Sequence, residues 1–228
     1  RSGEYAISPR FDTSLNDYVS SFSEGLAMIE VGKNYGYIDR TGEFVIQPRF
    51  LHATDFREGM ARVVVEGPCA YYEFGPCPDV RTLGENGRGR VAGCKFTYID
   101  KYGSIVISQR YDYAKEFSEG LAPVLIGEKW GYIDKKGRTV IQHRFDEAEP
   151  FSDGLARVQL GERYGFIDHQ GVFVIRARYK YADDFSDGLA VVSNNWDEQD
   201  SRYEGFYYIN RRGEQAIGEK FALAGHYF

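Results

Sequence analysis

Residues 117–145 read FSEGLAPVLIGEKWGYIDKKGRTVIQHRF, and similar stretches recur along most of the chain. The opening motif, Phe-Ser-Glu/Asp-Gly-Leu-Ala, occurs four times, with a fifth variant, Phe-Arg-Glu-Gly-Met-Ala, starting at Phe56. A period of this length indicates a modular array whose fold comes from the packing of neighbouring units. The motif glycines are 34, 61, 34 and 34 residues apart: Gly25, Gly59, Gly120, Gly154 and Gly188.

The residue pattern within each copy predicts three short antiparallel strands. In residues 155–160 apolar side chains alternate with polar ones, which is typical of a half-buried strand, with Arg157 on the polar face. A second strand is expected at 164–168. Residues 168–171, Asp-His-Gln-Gly, fit a type I turn with a left-handed glycine bulge, and a third strand follows at 172–179. A loop that contains Ala182 then leads to the next copy.

Residues 129–137 (KWGYIDKKG), with the opening motif and the Val140-Ile141 pair, resemble the bacterial WG-containing repeat family. The resemblance covers five copies. It implies an all-β repeat with a binding or scaffolding role, and it implies no particular reaction. The Trp-Gly pair is literal only at Trp130-Gly131, and the glycine is replaced in two copies by Thr97 and Tyr207. We expect these two copies to stack less closely.

The fold class that we predict is all-β, with tandem three-stranded antiparallel repeats of about 34 residues in an open solenoid-like array. The alternative is a propeller-like ring. A permuted propeller usually splits one blade between the termini, whereas here the last unit is complete and residues 6–11 form a surplus third strand. We place a single repeat domain over 1–228, with a partial repeat at 1–21, repeats at about 22–55, 56–116, 117–150, 151–184 and 185–228, and an insertion at about 67–93.

Composition and motif content argue against several function classes. A formal net charge of -6 without a dense basic patch disfavours nucleic acid as a partner. No apolar run approaches ~18 residues, so we expect no membrane span. The four histidines lack metal-ligand spacing, and no Gly-x-Ser-x-Gly motif occurs. Because a catalytic centre needs one asymmetric constellation rather than identical repeats, we expect no enzyme, no catalytic residue, no metal and no cofactor.

Two repeated sets of side chains have both a functional and a structural interpretation. The turn acids, such as Asp134, could be calcium ligands or an acid/base pair. Asn210 replaces Asp in one copy, which a turn tolerates and catalysis would not, so we favour turn formation. The aromatic residues beside Gly36, Gly131 and Gly165 could form a stacking platform for sugar or peptide, but we favour burial between repeats.

A basic residue occupies one register of the third strand in every copy, which we call the basic column. If repeats stack in phase, the column could bind an acidic polymer or partner. Pairing with the recurrent carboxylates or with the turn aspartates is the interpretation that we favour. The column consists of Arg10, Arg49, Arg110, Arg144, Arg178 and Lys220.

The two insertions are the best candidates for function, because exposed aromatic and Arg residues form binding hot spots. Cys69 and Cys77 bracket an aromatic loop, and we predict a disulfide between them; pairing of Cys94 with either is the alternative. A hairpin that only covers a sheet edge is the alternative role. The partner-binding candidates are Tyr71, Tyr72, Phe74, Arg81, Arg88 and Arg90 in the larger insertion and Trp196 in the smaller one, within 194–204.

These observations favour a non-enzymatic protein-interaction or scaffold module of a bacterial envelope or secreted protein. Its partner would be a protein that contacts the Cys-bracketed loop, and the disulfide would suit an extracytoplasmic location. One alternative is a glycan- or cell-wall-binding module that uses surface aromatics. Another is an accessory repeat domain of a larger enzyme.

Overall fold

A computed structural model describes residues 18–66, 94–197 and 202–216, and the chain divides into two compact units, Arg1–Glu116 and Phe117–Phe228. Within the described ranges every regular element is a β-strand, and no sheet closes into a barrel. The expected all-β fold of tandem antiparallel repeats is therefore confirmed. The open array rather than a ring stays a prediction.

The described part of the first unit holds seven strands: β1 (Ala27–Val31), β2 (Asn34–Ile38), β3 (Phe44–Phe50), β4 (His52–Ala53), β5 (Ala61–Glu66), β6 (Lys95–Ile99) and β7 (Tyr113–Ala114). Strands β1, β2 and β3 form one antiparallel sheet, and β4, β5 and β6 form a second. Each sheet therefore contains the first and second strands of one repeat as neighbours.

The described part of the second unit holds twelve strands: β8 (Leu121–Ile126), β9 (Lys129–Asp134), β10 (Thr139–Phe145), β11 (Glu147–Ala148), β12 (Ala156–Leu160), β13 (Arg163–Ile167), β14 (Phe173–Tyr179), β15 (Tyr181–Ala182), β16 (Leu189–Ser193), β17 (Asn195–Asp197), β18 (Arg202–Glu204) and β19 (Tyr207–Asn210). Strands β8, β9 and β10 are consecutive neighbours, as are β11 to β14, and β15, β16 and β19. Strands β17 and β18 pair as a separate hairpin within the last copy.

A short strand before the motif distinguishes the structure from the expected three-stranded unit. Strands β4, β11 and β15 each pair with the first strand of the copy that follows. The segment at Ala182, where a loop was expected, forms strand β15 instead. Backbone N–H groups of Lys180 and Asp183 donate hydrogen bonds of 3.0 and 2.9 Å to the carbonyls of Ser193 and Val191. Consecutive copies are thus joined through the backbone.

The opening motif forms a two-residue turn in every copy. Ser23 and Leu26 exchange backbone hydrogen bonds of 2.8 and 3.0 Å, and the two residues between them both have positive φ. Two positive values identify a type I′ turn, whose twist matches that of a β-hairpin. Residues other than glycine rarely adopt a positive φ. An acidic residue nevertheless does so in all five copies, with φ of 51° to 55°: Glu24, Glu58, Glu119, Asp153 and Asp187.

The Asp-x-x-Gly segments form the predicted type I turns with a glycine bulge. In one example Oδ1 of Asp134 accepts hydrogen bonds of 2.9 Å from the backbone N–H groups of Lys136 and Arg138, and Gly137 has φ of 76°. Asn210 accepts the same two bonds through its amide oxygen, at 2.9 and 3.1 Å. The interpretation of these acids as turn formers is confirmed.

The glycine of the Trp-Gly pair lies where two backbones approach closely. A Cβ on Gly131 would lie 2.6 Å from the carbonyl oxygen of Ile141, because the bulged strand β10 crosses over β9 at this point. In the second copy Thr97 takes this position, and its hydroxyl donates to the carbonyl of Ile107. The third segment of that copy forms isolated bridges, such as Ile99 with Ile105, instead of a continuous strand.

The core is built from aromatic residues contributed by successive copies. The hydroxyl of buried Tyr132 donates to the carbonyl of Glu149 at 2.7 Å, which satisfies its polar atom. Its ring contacts the motif phenylalanine of the next copy, and equivalent pairs lie 4.7 to 5.2 Å apart between centroids: Tyr37–Phe56, Tyr132–Phe151 and Phe166–Phe185. Repetition of the motif therefore explains the packing between copies.

Candidate functional surfaces

Three of the recurrent motif acids bond to the copy that follows in the same unit. Glu24 accepts a hydrogen bond of 2.9 Å from the backbone N–H of Gly59, and Lys101 lies 3.2 Å from the same carboxylate. Equivalent N–H bonds of 3.0 and 2.6 Å reach Glu119 and Asp153. Their other neighbours in the following copy are His169, at 3.2 Å from Glu119, and Arg211, at 3.5 Å from Asp153.

The basic column has partners other than the carboxylates that we favoured. Arg49 donates a hydrogen bond of 2.6 Å to the carbonyl of Gly103, the glycine that closes the Asp-x-x-Gly turn of the next copy. Arg144 and Arg178 do the same to Gly171 and Gly213, at 2.7 and 2.9 Å. In these three cases the glycine of the turn directs its carbonyl at the guanidinium. Arg110 differs and donates to the carbonyl of Ser108 at 2.8 Å.

Arg157, which the strand pattern placed on the polar face, and Arg62 at the same position of another copy are largely buried. The side chains of Arg62 and Arg157 are each 11% exposed. Arg157 lies 3.4 Å from Glu149 and 2.9 Å from Asp184, and 5.3 Å from the centroid of the Tyr164 ring. Burial lowers the pKa of this guanidinium, but Asp184 and Glu149 outweigh it and hold the pKa above its ordinary value.

Sequence reasoning missed these arginines although a signal existed. The residue after Leu-Ala is Met28, Pro123 or Val191 in the other copies, so the position accepts apolar side chains. An arginine at such a position needs partners that satisfy its charge. Arg62 finds them in the carbonyl of Ala114, at 2.6 Å, and in a more distant carboxylate. Both arginines therefore make their contacts inside the repeat.

The aromatic residues of the Trp-Gly position are largely inside the protein. Tyr35, Phe96 and Trp130 are 6%, 1% and 5% exposed, so they offer no open platform to a sugar or peptide. Tyr164 is partly buried beneath Arg157. The favoured interpretation of core packing is confirmed for these described residues.

The turn between the first and second strands carries an exposed aliphatic residue in three copies. Val31, Ile126 and Leu160 are 38%, 41% and 47% exposed, and we call them the tip residues. Each precedes a glycine with φ of 62° to 65° in a two-residue loop, which fits a type II′ turn. The 67–93 insertion begins at this same turn, directly after β5, and the hairpin of β17 and β18 begins there in the last copy.

A cavity of about 520 Å³ lies in the last copy of the second unit. It is bordered by Arg178 and Tyr179 at the end of β14, by Asn194 and Asn195 at the start of the inserted hairpin, and by Tyr207 on β19. Burial, together with the nearby Tyr179, raises the pKa of the Tyr207 phenol. The repeat pattern gives no sign of this cavity, because it occurs where one copy departs from the pattern.

Several sequence-predicted site residues lie outside the described residues. The larger insertion carries Tyr71, Tyr72, Phe74, Arg81, Arg88 and Arg90, and the ends of the basic column are Arg10 and Lys220. Trp196 lies in β17, where the backbone is described. The roles of all these residues stay predictions.

The described residues contain one cysteine, no candidate metal site and no helix able to cross a membrane. Cys94 is 2% exposed and disulfide-bonded. With three cysteines in the chain, a bonded Cys94 favours the alternative, in which it pairs with Cys69 or Cys77, over the predicted pair of Cys69 with Cys77; those two residues lie outside the described residues. In the ranges that the structure describes, no group of three His, Cys, Asp or Glu side chains could hold a metal ion. Over those ranges no helix is long and apolar enough to span a bilayer.

The solved structures that match this chain are remote in sequence. A protein of unknown function from Bacteroides caccae is 11% identical with a TM-score of 0.36, and the match covers 90% of this chain and 80% of that one. A eukaryotic initiation factor is 11% identical (TM-score 0.47; 87% and 63% covered), and apo AztD from Citrobacter koseri is 12% identical (TM-score 0.41; 90% and 60% covered). The chain spans less than two thirds of the latter two proteins. At these TM-scores the similarities carry no conclusion about function.

No curated protein matches the chain, whereas one family of repeats does. The WG containing repeat matches residues 1–35, 35–67, 96–130, 130–164 and 164–195. The gap between 67 and 96 coincides with the larger insertion, and the matched segments contain the motif turns and the Trp-Gly positions described above. The chain therefore belongs to the WG containing repeat family.

Proposed function

We propose that this chain is a non-enzymatic protein-interaction or scaffold module of a bacterial envelope or secreted protein. Its partner is a protein that contacts the 67–93 insertion together with the tip residue Val31 of the preceding copy, which belongs to the same unit. The insertion carries the aromatic loop bracketed by Cys69 and Cys77. A disulfide in this segment would reduce the entropy lost when the loop is ordered by a partner.

The observation that supports this proposal is the position of both insertions. They interrupt the same turn, between the first and second strands, in two different copies. In repeat proteins, insertions of this kind are often binding elements. In the other copies this turn keeps an exposed aliphatic side chain, of which Leu160 is the most open.

The repeated polar residues favour a binding role over a reaction. The turn carboxylates are occupied by backbone N–H groups, the motif acids by the following copy, and the described arginines of the column mainly by carbonyl groups. Side chains engaged in this way hold the copies together. A partner would then be recognised by what differs between copies, and the insertions are the largest differences.

The experiment uses immobilised protein with three variants and partners identified by mass spectrometry. Replacing Tyr71, Tyr72 and Phe74 together with Ala is expected to abolish capture of the specific partner while the melting temperature changes little. Val31→Ser is expected to weaken capture, since it removes an exposed tip residue. Val45→Ser is the matched control, because Val45 is similarly exposed in the same copy but lies on β3.

The purified partner is then titrated against each variant by calorimetry. The expected order of affinity is wild type and Val45→Ser together, then Val31→Ser, then the triple variant. Unchanged affinity of the triple variant would remove the insertion from the proposed interface. Equal losses for the Val31 and Val45 variants would show that the tip residues have no special role.

A further inference from the structure

The cavity in the last copy arises where two sequence departures meet. In three copies the third strand crosses closely over a glycine, as over Gly165, where a Cβ would lie 2.5 Å from the backbone nitrogen of Ala177. In the last copy Tyr207 takes this position. The inserted hairpin begins at Asn194 and Asn195 and forms another wall.

The walls of this cavity present one cation and several neutral polar groups. Arg178 is the only charged side chain among the described residues that line it, and the neutral ones include Tyr179, Asn194, Asn195, Tyr207 and Gln215. Within the described part of the chain no Asp or Glu lies within ion-pair distance of Arg178. A guanidinium without a carboxylate partner favours the binding of an anionic group.

Arg178 is held in place and still has donors to spare. Its Nη2 donates to the carbonyl of Gly213 at 2.9 Å and to the hydroxyl of Tyr179 at 2.7 Å. A guanidinium has five N–H donors, so three remain for a ligand after these two bonds. The guanidinium also lies 5.0 Å from the centroid of the Tyr179 ring, which further restricts its position.

The neutral groups complement a ligand with many hydroxyls. Amide side chains of Asn194 and Asn195 both donate and accept hydrogen bonds, as sugar hydroxyls do. The phenol of Tyr207 is protonated at neutral pH, as that of any ordinary tyrosine is, so it can donate to a ligand oxygen. The volume of about 520 Å³ falls within the range of about 300–1,000 Å³ typical of small-molecule sites.

From this juxtaposition we infer that the last-copy cavity binds a carboxylate-bearing sugar unit of an acidic glycan. The guanidinium of Arg178 receives the carboxylate, and the amides and the phenol receive the hydroxyls. This inference does not rest on the proposed protein partner, since the cavity residues lie in a different copy from the 67–93 insertion.

Calorimetric titration with trigalacturonate tests the inference on the full chain. The comparison ligands are its fully methyl-esterified form, which has the same rings without charge, and inorganic phosphate. We expect trigalacturonate to bind and both comparison ligands to bind at least about tenfold more weakly, because a charge-assisted pair to Arg is lost or the hydroxyls are absent. Equal binding of the ester, equal binding of phosphate, or no binding of trigalacturonate at millimolar concentration would each overturn the inference.

Variants separate ligand binding from repeat packing. Arg178→Gln should weaken trigalacturonate binding at least about tenfold. Arg144→Gln is the matched control, because Arg144 makes the same bond to the next glycine carbonyl and the same contact with an aromatic ring but lies outside the cavity. Tyr207→Phe, which removes only a hydroxyl, should weaken binding without a change in melting temperature. Equal effects of the two arginine variants on affinity, or full affinity in Tyr207→Phe, would contradict the assignment.

Discussion

Replacement of Gly165 by alanine tests the reason for the glycine of the Trp-Gly pair. A Cβ at this position would lie 2.5 Å from the nitrogen of Ala177, 2.6 Å from the carbonyl oxygen of Ile175 and 2.8 Å from the Cα of Ala177. All three atoms belong to the backbone of β14, so a side-chain rotation cannot relieve the overlap. The strand must move away from β13, and overpacking of this kind costs about 3 kcal/mol.

The matched control is Gly154→Ala, in the motif turn of the same copy. Gly154 has φ of 81°, and a Cβ there would meet no atom within 4 Å. Its replacement therefore costs only the strain of a left-handed alanine, about 1 kcal/mol. For a chain of this size we expect the melting temperature to fall by about 6–12 °C for Gly165→Ala and by about 2–4 °C for the control.

Thermal unfolding measures the size of the effect, and amide hydrogen exchange shows where it occurs. In Gly165→Ala the amides of β14 should lose protection before those of β12, because the contact between β13 and β14 is the one that is displaced. The reasoning is refuted if both variants melt at the same temperature, or if exchange in β14 is unchanged.

Three further predictions concern buried charge, pH and cysteine chemistry. Arg157→Met leaves Glu149 and Asp184 without their guanidinium and should lower the free energy of unfolding by about 3 kcal/mol in urea denaturation; a stable variant would contradict its role. Burial lowers the pKa of His52 from 6.5 to about 4. The stability that the neutral imidazole contributes to the fold is therefore complete above pH 6.5 and is lost as the pH falls towards 4. About 3 kcal/mol of stability should disappear over that interval in the wild type but not in His52→Gln, as measured by urea midpoints. Alkylation without reductant, followed by mass spectrometry, should label one thiol of the three, because Cys94 is disulfide-bonded; three labelled thiols would contradict an extracytoplasmic protein.

The strands and turns of this protein were predictable because their signals are local. Asp134 and Gly137 specify a turn through bonds to residues two and four positions away. The alternation in residues 155–160 reflects the pleat of a single strand. Neither signal depends on another copy, so each can be read from a short window of sequence.

Contacts between copies were less predictable. Arg157 follows the polar phase of its strand, yet it is largely buried because Glu149, from the preceding copy, and Asp184, at the end of its own copy, cover it. For Arg144 the charge suggested a carboxylate, but the nearest acceptor after folding is the carbonyl of Gly171. Both errors arise because a strand pattern describes one sheet and not the layer that packs on it.

The sequence alone determined the repeat, its turns and its family, since these depend on residues close together in the chain. Tertiary structure decided how neighbouring copies contact each other: Glu24 accepts from the glycine of the next motif, Arg144 donates to the next turn, and a cavity lies beside Tyr207. The physical reason is that a backbone carbonyl or N–H group becomes a hydrogen-bond partner only where the fold places it beside the side chain. A volume likewise becomes a cavity only where the fold leaves it unfilled. These positions depend on contacts between residues that are more than thirty positions apart in the chain.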